Sequence, residues 1–295
     1  MLEGRELHLG LRDIHIGRPK QAVFIILIYA ILIAGAIAFL LPLFWLITTA
    51  LKENSEVYVF PPTFIPKTLR WQNFPDGWFY KEMHFPLWTW NTIFITVTVT
   101  VSSIIASSLC AYGFARIKFP GRDIWFMMVL ASIMLPGAVT LIPLYIIYSR
   151  IGWLGTFLPL IVPPFFGGGA FNIFLLRQFF TTIPLELEEA AILDGAGRFR
   201  IWWQIMLPLT KPALATVAVF TFQGVWNDFY GPLIFLTDPK TFTLALGISQ
   251  FRQLYDIKIP LMMAMSFLMV IPTLIIFFFA QRLMIRGVVL TGIKA

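Results

Sequence analysis

Few residues in this 295-residue chain are of a type that makes or breaks bonds, and those few are not grouped. His8, His15 and His84 are scattered and Cys110 is the single thiol, so neither a metal cluster nor a disulfide framework is expected. No grouping of Ser, His and carboxylate suggests hydrolysis. The triple glycine Gly167, Gly168 and Gly169 leads into Ala170, Phe171 and Asn172 without a Lys to reach a phosphate, and no Gly-Lys-Ser or Gly-Lys-Thr loop occurs elsewhere. Catalysis, ATP hydrolysis included, is therefore not expected of this chain.

Two polar groupings remain. From Pro184 to Pro212 the chain reads PLELEEAAILDGAGRFRIWWQIMLPLTKP. Pro184 suits a helix start, and Glu186, Glu188 and Glu189 suit the positive end of the helix dipole. Ala190, Ala191, Gly195, Ala196 and Gly197 leave one surface nearly without side-chain bulk, where a partner's backbone can approach, and Gly195 or Gly197 can take positive φ and turn the chain. Such a segment is either a plug for the groove of another protein or a loop helix lying on its own bundle. The second grouping is Trp226, Asn227, Asp228, Phe229 and Tyr230, read as the middle of an apolar helix, where an ionisable group is costly and faces a cavity or a partner.

The elements that must carry these groups are membrane spans. Hydrophobic residues make up 58% of the chain and charged residues 13%, the latter about half the share in a soluble domain. Six apolar segments can be drawn: Ala22–Thr49, Leu87–Ala115, Ile124–Tyr148, Leu154–Phe180, Ala213–Leu236 and Pro260–Ala280. Each is long enough to cross a hydrocarbon core, which takes about 20 helical residues. The first is too long for a signal-peptide core and has no small-residue cleavage pattern, so it is expected to stay as a membrane helix.

Six spans put both termini on one side. Placing them inside sets fourteen Lys and Arg against eight on the other face, which favours cytoplasmic termini. The division is then a single membrane domain with a cytoplasmic N-terminal segment (1–21), an external cap (51–86), a core (87–282) and a cytoplasmic loop (184–212). Pro163 and Pro164 ahead of Gly167 should interrupt the fourth span, either as a kink lining a path or as a hinge at its outer end. The formal net charge of +7 does not indicate nucleic acid, because no stretch gathers five basic residues among aromatics.

Glu189-Ala190-Ala191, Asp194-Gly195-Ala196, Leu207-Pro208-Leu209 and Pro212 together resemble the EAA loop of permease subunits of binding-protein-dependent ABC importers. Pro42 with Trp45 and Lys52, the run from Phe60 to Phe74, AYGFARIKFPG from Ala111, FLLRQFFTTIP from Phe174 and Trp226-Asn227-Asp228-Phe229 are similar to the carbohydrate-uptake branch, which contains the maltose-type permeases. Gly197 departs from the family pattern, where a hydroxyl or thiol residue is common, and the tail GVVLTGIKA fits only loosely.

The resemblance implies an all-α integral membrane protein of the type I importer permease fold in the bacterial or archaeal inner membrane. It also implies a second homologous permease, two ATP-binding subunits that hold ATP and Mg, an external solute-binding protein and a sugar substrate. Glu189, Ala190, Ala191, Asp194, Gly195, Ala196 and Gly197 become the ATPase-coupling residues, with Glu189 and Asp194 as polar anchors. Trp226, Asn227, Asp228, Phe229, Tyr230 and Asn172 are candidates for the substrate path, the aromatics stacking on a sugar ring. The competing reading of Asp228 is pairing with another helix or snorkelling to the outer interface. An ion-driven secondary carrier is the alternative function, and it would call for charged residues deep in several spans, where Asp228 stands nearly alone.

Overall fold

The computed structural model describes residues 19–81, 83–251 and 258–291, with side chains from 23 to 281 apart from 82 and 252–257. The described residues are helical, with no strand among them. The expected N-terminal segment 1–21, apart from its last three residues, and the end of the tail lie outside them.

Helix α1 runs over Pro19–Ala50 and leads into the cap, whose short helices are α2 (Asn54–Val57) and α3 (Asn73–Trp78). Helix α4 (Phe85–Arg116) starts with Pro86 in its first turn, where a missing N–H costs nothing. The third apolar segment is not one straight helix: α5 (Arg122–Ile133) and α6 (Gly137–Arg150) meet at 99°. Pro136 supplies the break, since it cannot donate to the preceding turn and pushes Leu135 away from helical geometry.

The fourth segment is interrupted where the prolines lie. It comprises α7 (Leu158–Ile161), a 3₁₀ turn at Pro163–Phe165 and α8 (Ala170–Thr182). The cytoplasmic loop forms α9 (Leu185–Leu193), α10 (Arg198–Ile201), a π-type turn over Trp202–Met206 and α11 (Leu207–Leu209). An 83° bend then starts α12 (Lys211–Trp226). The remaining helices are α13 (Tyr230–Phe235), α14 (Leu244–Gln250) and α15 (Ile259–Thr291). Four stretches are long and apolar enough to cross a membrane, and the two bent pairs raise the number to the expected six when each counts as one span.

The fifth span differs from expectation. It ends at Trp226, Asn227 caps it, and α13 is a separate short helix, so Asp228 sits in a break between two helices and not in the middle of one. The sequence GVWNDFYGP is apolar enough to pass as continuous, but Pro232 has no backbone N–H to give to Asp228 O, and the Gly231 N–H goes to the Asp228 side chain instead.

Helix α4 is the central post, packed against α8 and α12, while α15 packs on α1 and α12. Two buried cores result. One joins Tyr112, Leu176, Phe180, Ile201, Met206 and Val217 near the 184–212 loop. The other joins Phe85, Trp88, Trp226, Phe251 and Met265 at the cap end. At that end α4 holds the connection after α13 by three polar side chains. Trp88 Nε1 donates to Pro239 O at 2.7 Å, Asn91 Nδ2 to Lys240 O at 2.9 Å, and Leu244 N donates to Thr92 Oγ1 at 2.8 Å. The apolar side chains of α1 from Val23 to Leu41 are mostly exposed, as suits a helix that faces lipid or another subunit.

The cap is tied down by groups that satisfy α1's last carbonyls. Asn73 Nδ2 donates to Ala50 O and Lys52 O, both at 2.8 Å. Lys52 is only 2% exposed; its ammonium donates to Thr63 O and lies 4.6 Å from the centre of the Trp45 ring. A lysine can be buried here because its charge keeps a carbonyl and a π face.

Gly168 is the tightest point between spans. Its φ is +70°, and an added Cβ would lie 2.3 Å from Ser103 O. Only glycine both adopts that conformation cheaply and lets α4 approach so closely. We expect Gly168→Ala to lower stability by at least about 2 kcal/mol, as overpacking does. Gly137→Ala, with nothing within 4 Å of its added Cβ, should have little effect. Thermal unfolding of the two variants in one detergent reads the difference.

Candidate functional site

Helix α9 opens directly after Pro184, with Glu186 and Glu188 in its first turn against the positive end of the helix dipole. It closes by a Schellman arrangement. Asp194 caps it, Gly195 N donates to Ile192 O at 3.0 Å, and Ala196 N donates to Ala191 O at 2.9 Å. Of the two glycines expected to turn the chain, Gly195 takes positive φ, at +79°, while Gly197 has ordinary extended backbone and precedes α10.

The two faces of α9 are chemically unlike. Glu188, Ala191 and, past the turn, Ala196 face the bundle, and the two alanines pack on the core beneath the loop. Glu186, Glu189, Ala190 and Leu193 occupy i, i+3, i+4 and i+7 of the opposite face and are exposed, as are Asp194, Gly195 and Gly197. Of the small residues expected to form one bare face, Ala190, Gly195 and Gly197 lie exposed on the outward side. Ala191 and Ala196 are spent on close packing inward, and the outward face carries Leu193, which is 88% exposed, with exposed Phe199 beside the turn.

Glu188 is the buried acid of the loop that the motif did not single out. It is 5% exposed and tied to three side chains from two other elements. Its Oε1 accepts from Tyr112 Oη at 3.1 Å and from Arg198 Nη1 at 2.6 Å, and its Oε2 lies 3.8 Å from Arg116 Nε. Arg116 also donates through Nη2 to Phe180 O at 2.6 Å, a carbonyl that also accepts from Ile183 N, and to Ile183 O just past the end of α8. One carboxylate thus joins α9 to α4, and one guanidinium joins α4 to α8. Tyr112 and Arg116 stand at i and i+4 on α4. That spacing, with Arg198 ten residues after Glu188, is the signal by which sequence could have found the joint. Glu189 and Asp194, expected as polar anchors toward a partner, are exposed and project away from the bundle.

The substrate-path candidates do not form one cluster. Trp226 is buried; its Nε1 donates to Met269 O at 2.9 Å and its ring stacks on Phe222. Asn172 bridges the Gly168 carbonyl at 2.7 Å and Thr221 Oγ1 at 3.2 Å, linking the broken fourth span to α12. Asp228 accepts from Gly231 N at 3.1 Å and so caps α13 across the break. Asn227 and Tyr230 are exposed, Tyr230 by 74%, and Phe229 lies edge-on to Tyr230 with ring centres 5.6 Å apart. Three members are thus accessible around the break, while Trp226 and Asn172 hold it from behind.

No group of three metal-ligating side chains occurs among the described residues. Removing Glu188 should expose the cost of its joint. Glu188→Ala leaves the buried Arg116 guanidinium without its counter-charge, for which we expect a loss of about 3–5 kcal/mol. Glu189→Ala, on the exposed face, should change stability by less than about 0.5 kcal/mol. Denaturant titration in mixed micelles measures both.

Residues 103–289 match the family described as the binding-protein-dependent transport system inner membrane component. Over 256 residues the chain is 30% identical to the diacetylchitobiose uptake system permease protein NgcG of Streptomyces coelicolor, covering 86% of this chain and 84% of that one. It is 33% identical over 267 residues to the sn-glycerol-3-phosphate transport system permease protein UgpE of Pectobacterium atrosepticum, covering 88% and 94%. It is 32% identical over 249 residues to the arabinooligosaccharides transport system permease protein AraQ of Halalkalibacterium halodurans, covering 84% and 86%. Among solved structures, a chain of a bacterial ABC transporter that imports the acidic polysaccharide alginate superposes with a TM-score of 0.79 at 22% identity, over 90% of this chain and 98% of that one. The fold is thus that of an ABC importer permease, spanning the membrane several times. With a matched region of well over half its length and relatives aligned almost end to end, this chain belongs to the family of binding-protein-dependent transport system inner membrane components.

Proposed function

We propose that this chain is a non-catalytic translocation subunit of an ATP-driven oligosaccharide importer, and that its 184–212 loop receives the ATPase stroke. The observation that carries this reading is the division of labour in α9. A buried carboxylate fastens the helix to the end of α4, whose Arg116 reaches on to the end of α8, and the opposite face offers Glu189, Ala190, Leu193 and Asp194 to a partner. A partner that moves this face moves two spans with it. ATP and Mg are bound by two cytoplasmic ATPase subunits, and a second homologous permease completes the path. Both termini lie in the cytoplasm, as the distribution of Lys and Arg favours.

The substrate class follows the relatives, whose names cite diacetylchitobiose, arabinooligosaccharides and glycerol phosphate. The neighbouring alginate importer has been solved with a pentasaccharide-bound periplasmic protein, which supports an external binding protein as the donor of substrate here. We place Asn227, Asp228, Phe229 and Tyr230 on the path, because the break after α12 leaves polar backbone and two aromatic rings accessible at one point. Non-helical backbone at membrane depth is tolerated where it borders a cavity or protein.

The docking reading predicts that Leu193→Asp and Glu189→Lys each abolish co-purification of a cytoplasmic ATPase with this chain and stop uptake in cells. The yield and unfolding temperature of the chain should stay unchanged. Retention of the ATPase by both variants would count against the loop as the docking element. For the path, Asp228→Asn should reduce uptake while the intact complex is still recovered; uptake at the wild-type rate would remove the Asp228 charge from the mechanism.

A further inference from the structure

The AYGFAR run of α4 ends on Arg116, whose side chain is only 4% exposed. Its Nη2 donates to Phe180 O and Ile183 O, so two carbonyls at the end of α8 fix the guanidinium. Its Nε lies 3.8 Å from Glu188 Oε2. Both of these atoms are buried, and neither makes a hydrogen bond.

A buried donor and a buried acceptor of opposite charge have given up their water, and that cost is recovered by bonding. A guanidinium–carboxylate bond closes at about 2.7–2.9 Å, so these two atoms stop about 1 Å short of one. Neither side chain closes the gap by turning alone. Glu188 is held through Oε1 by Tyr112 Oη at 3.1 Å and Arg198 Nη1 at 2.6 Å, and Arg116 is held by the two carbonyls. What is left to move is α9 itself, which packs on the bundle through Ala191 and leaves Glu189 and Leu193 exposed on its other face. A small swing of the helix about the Oε1 contacts brings Oε2 to Nε.

We propose that Arg116 is a positioning residue for coupling. In this assignment α9 has two seats on α4: the one seen here, with the Nε–Oε2 bond unmade, and a second with that bond made. Closure of the ATPase pair presses α9 from the first seat into the second, because a partner on the Leu193 face stands across the helix from Arg116 and its push shortens the gap. An equilibrium between two states is biased only by an interaction that differs between them, and this bond is such an interaction. The inference rests on the reading of the 184–212 loop as the receiver of the ATPase stroke.

The test uses the full chain with its co-purifying subunits in nanodiscs, incubated with ATP, Mg and graded vanadate, and reads the trapped nucleotide. Arg116→Lys keeps a buried charge opposite Glu188 but has a single nitrogen, which cannot serve the α8 carbonyls and Oε2 from separate atoms as a guanidinium does. We expect the ATPase still to co-purify and the vanadate concentration for half-maximal trapping to rise at least about tenfold, the scale of one hydrogen bond to a charged group. Glu188→Gln, which keeps an oxygen for Tyr112 and Arg198, should raise it to a similar degree. The double variant should trap no worse than the more affected single one, since both changes remove the same bond. Unfolding temperature without nucleotide is measured on the same preparations.

Trapping of Arg116→Lys at the wild-type vanadate concentration would overturn the proposal, and so would effects that add in the double variant. A loss of trapping that only tracks the loss of unfolding temperature across the three variants would overturn it too, because the contact would then belong to the fold and not to a change of seat. A wild-type complex that carries no ATPase, or that does not trap, counts against the importer reading itself. Failure confined to the variants of a complex that does trap counts against the two seats alone.

Discussion

A carboxylate is buried only where another charge or several donors compensate its lost water; Glu188 has two donors on Oε1, while its Oε2 makes no hydrogen bond and faces the Arg116 charge at 3.8 Å. Much of the cytoplasmic half of the chain hangs on that one group. Through Tyr112 and Arg116 it fixes α9 to the end of α4, and through Arg198 it closes the turn between α9 and α10. Arg116 in turn donates to carbonyls at the end of α8, so the loop, the central post and the fourth span end at a single polar joint. Arg198 lies at the exposed edge of this joint, where water screens it, so most of the strength belongs to the buried Arg116 and Tyr112 contacts. The energetic argument is asymmetric. The assembled joint adds little net stability over an apolar contact, but losing one member is costly, and the joint therefore specifies an arrangement more than it strengthens one.

A joint of this kind suits a part that must transmit movement. A helix held only by apolar packing can slide, whereas charge-assisted hydrogen bonds fix distance and direction at once. The outer face of α9 is free of such ties and carries acids around Leu193. Inward rigidity and outward accessibility are what a transmitting element needs, and they come from residues one position apart, Glu188 and Glu189.

The second constraint is the bilayer, which demands that every backbone group find a partner. Besides the 83° bend at Thr210, the described helices are interrupted at 134–136, at 162–169 and at 227–229. At the second break Gly168 lies against the backbone of Ser103, and Asn172 takes the Gly168 carbonyl. At the third, Asn227 donates to Gln223 O and Asp228 takes the Gly231 N–H. Small or amide-bearing side chains thus supply locally the bonds that a continuous helix would have made. The breaks stay compatible with a membrane and leave surfaces that can change packing.

The number of apolar segments, their approximate limits and the motif between Pro184 and Pro212 were all legible in the sequence, because hydrophobic run length and proline placement act locally. The break at Pro163 and Pro164 was legible for the same reason. What tertiary structure alone decided is which side of each helix faces what. Glu188, Glu189 and Asp194 are alike as residue types, and only the approach of α4 buries the first and leaves the others outside. Ala191 and Ala196 turned inward because α9 lies close on the core, while Ala190 stayed outside on the face that carries Leu193. Asp228 looked like a charge within a span because hydrophobic run length cannot see where a helix stops and a second one starts.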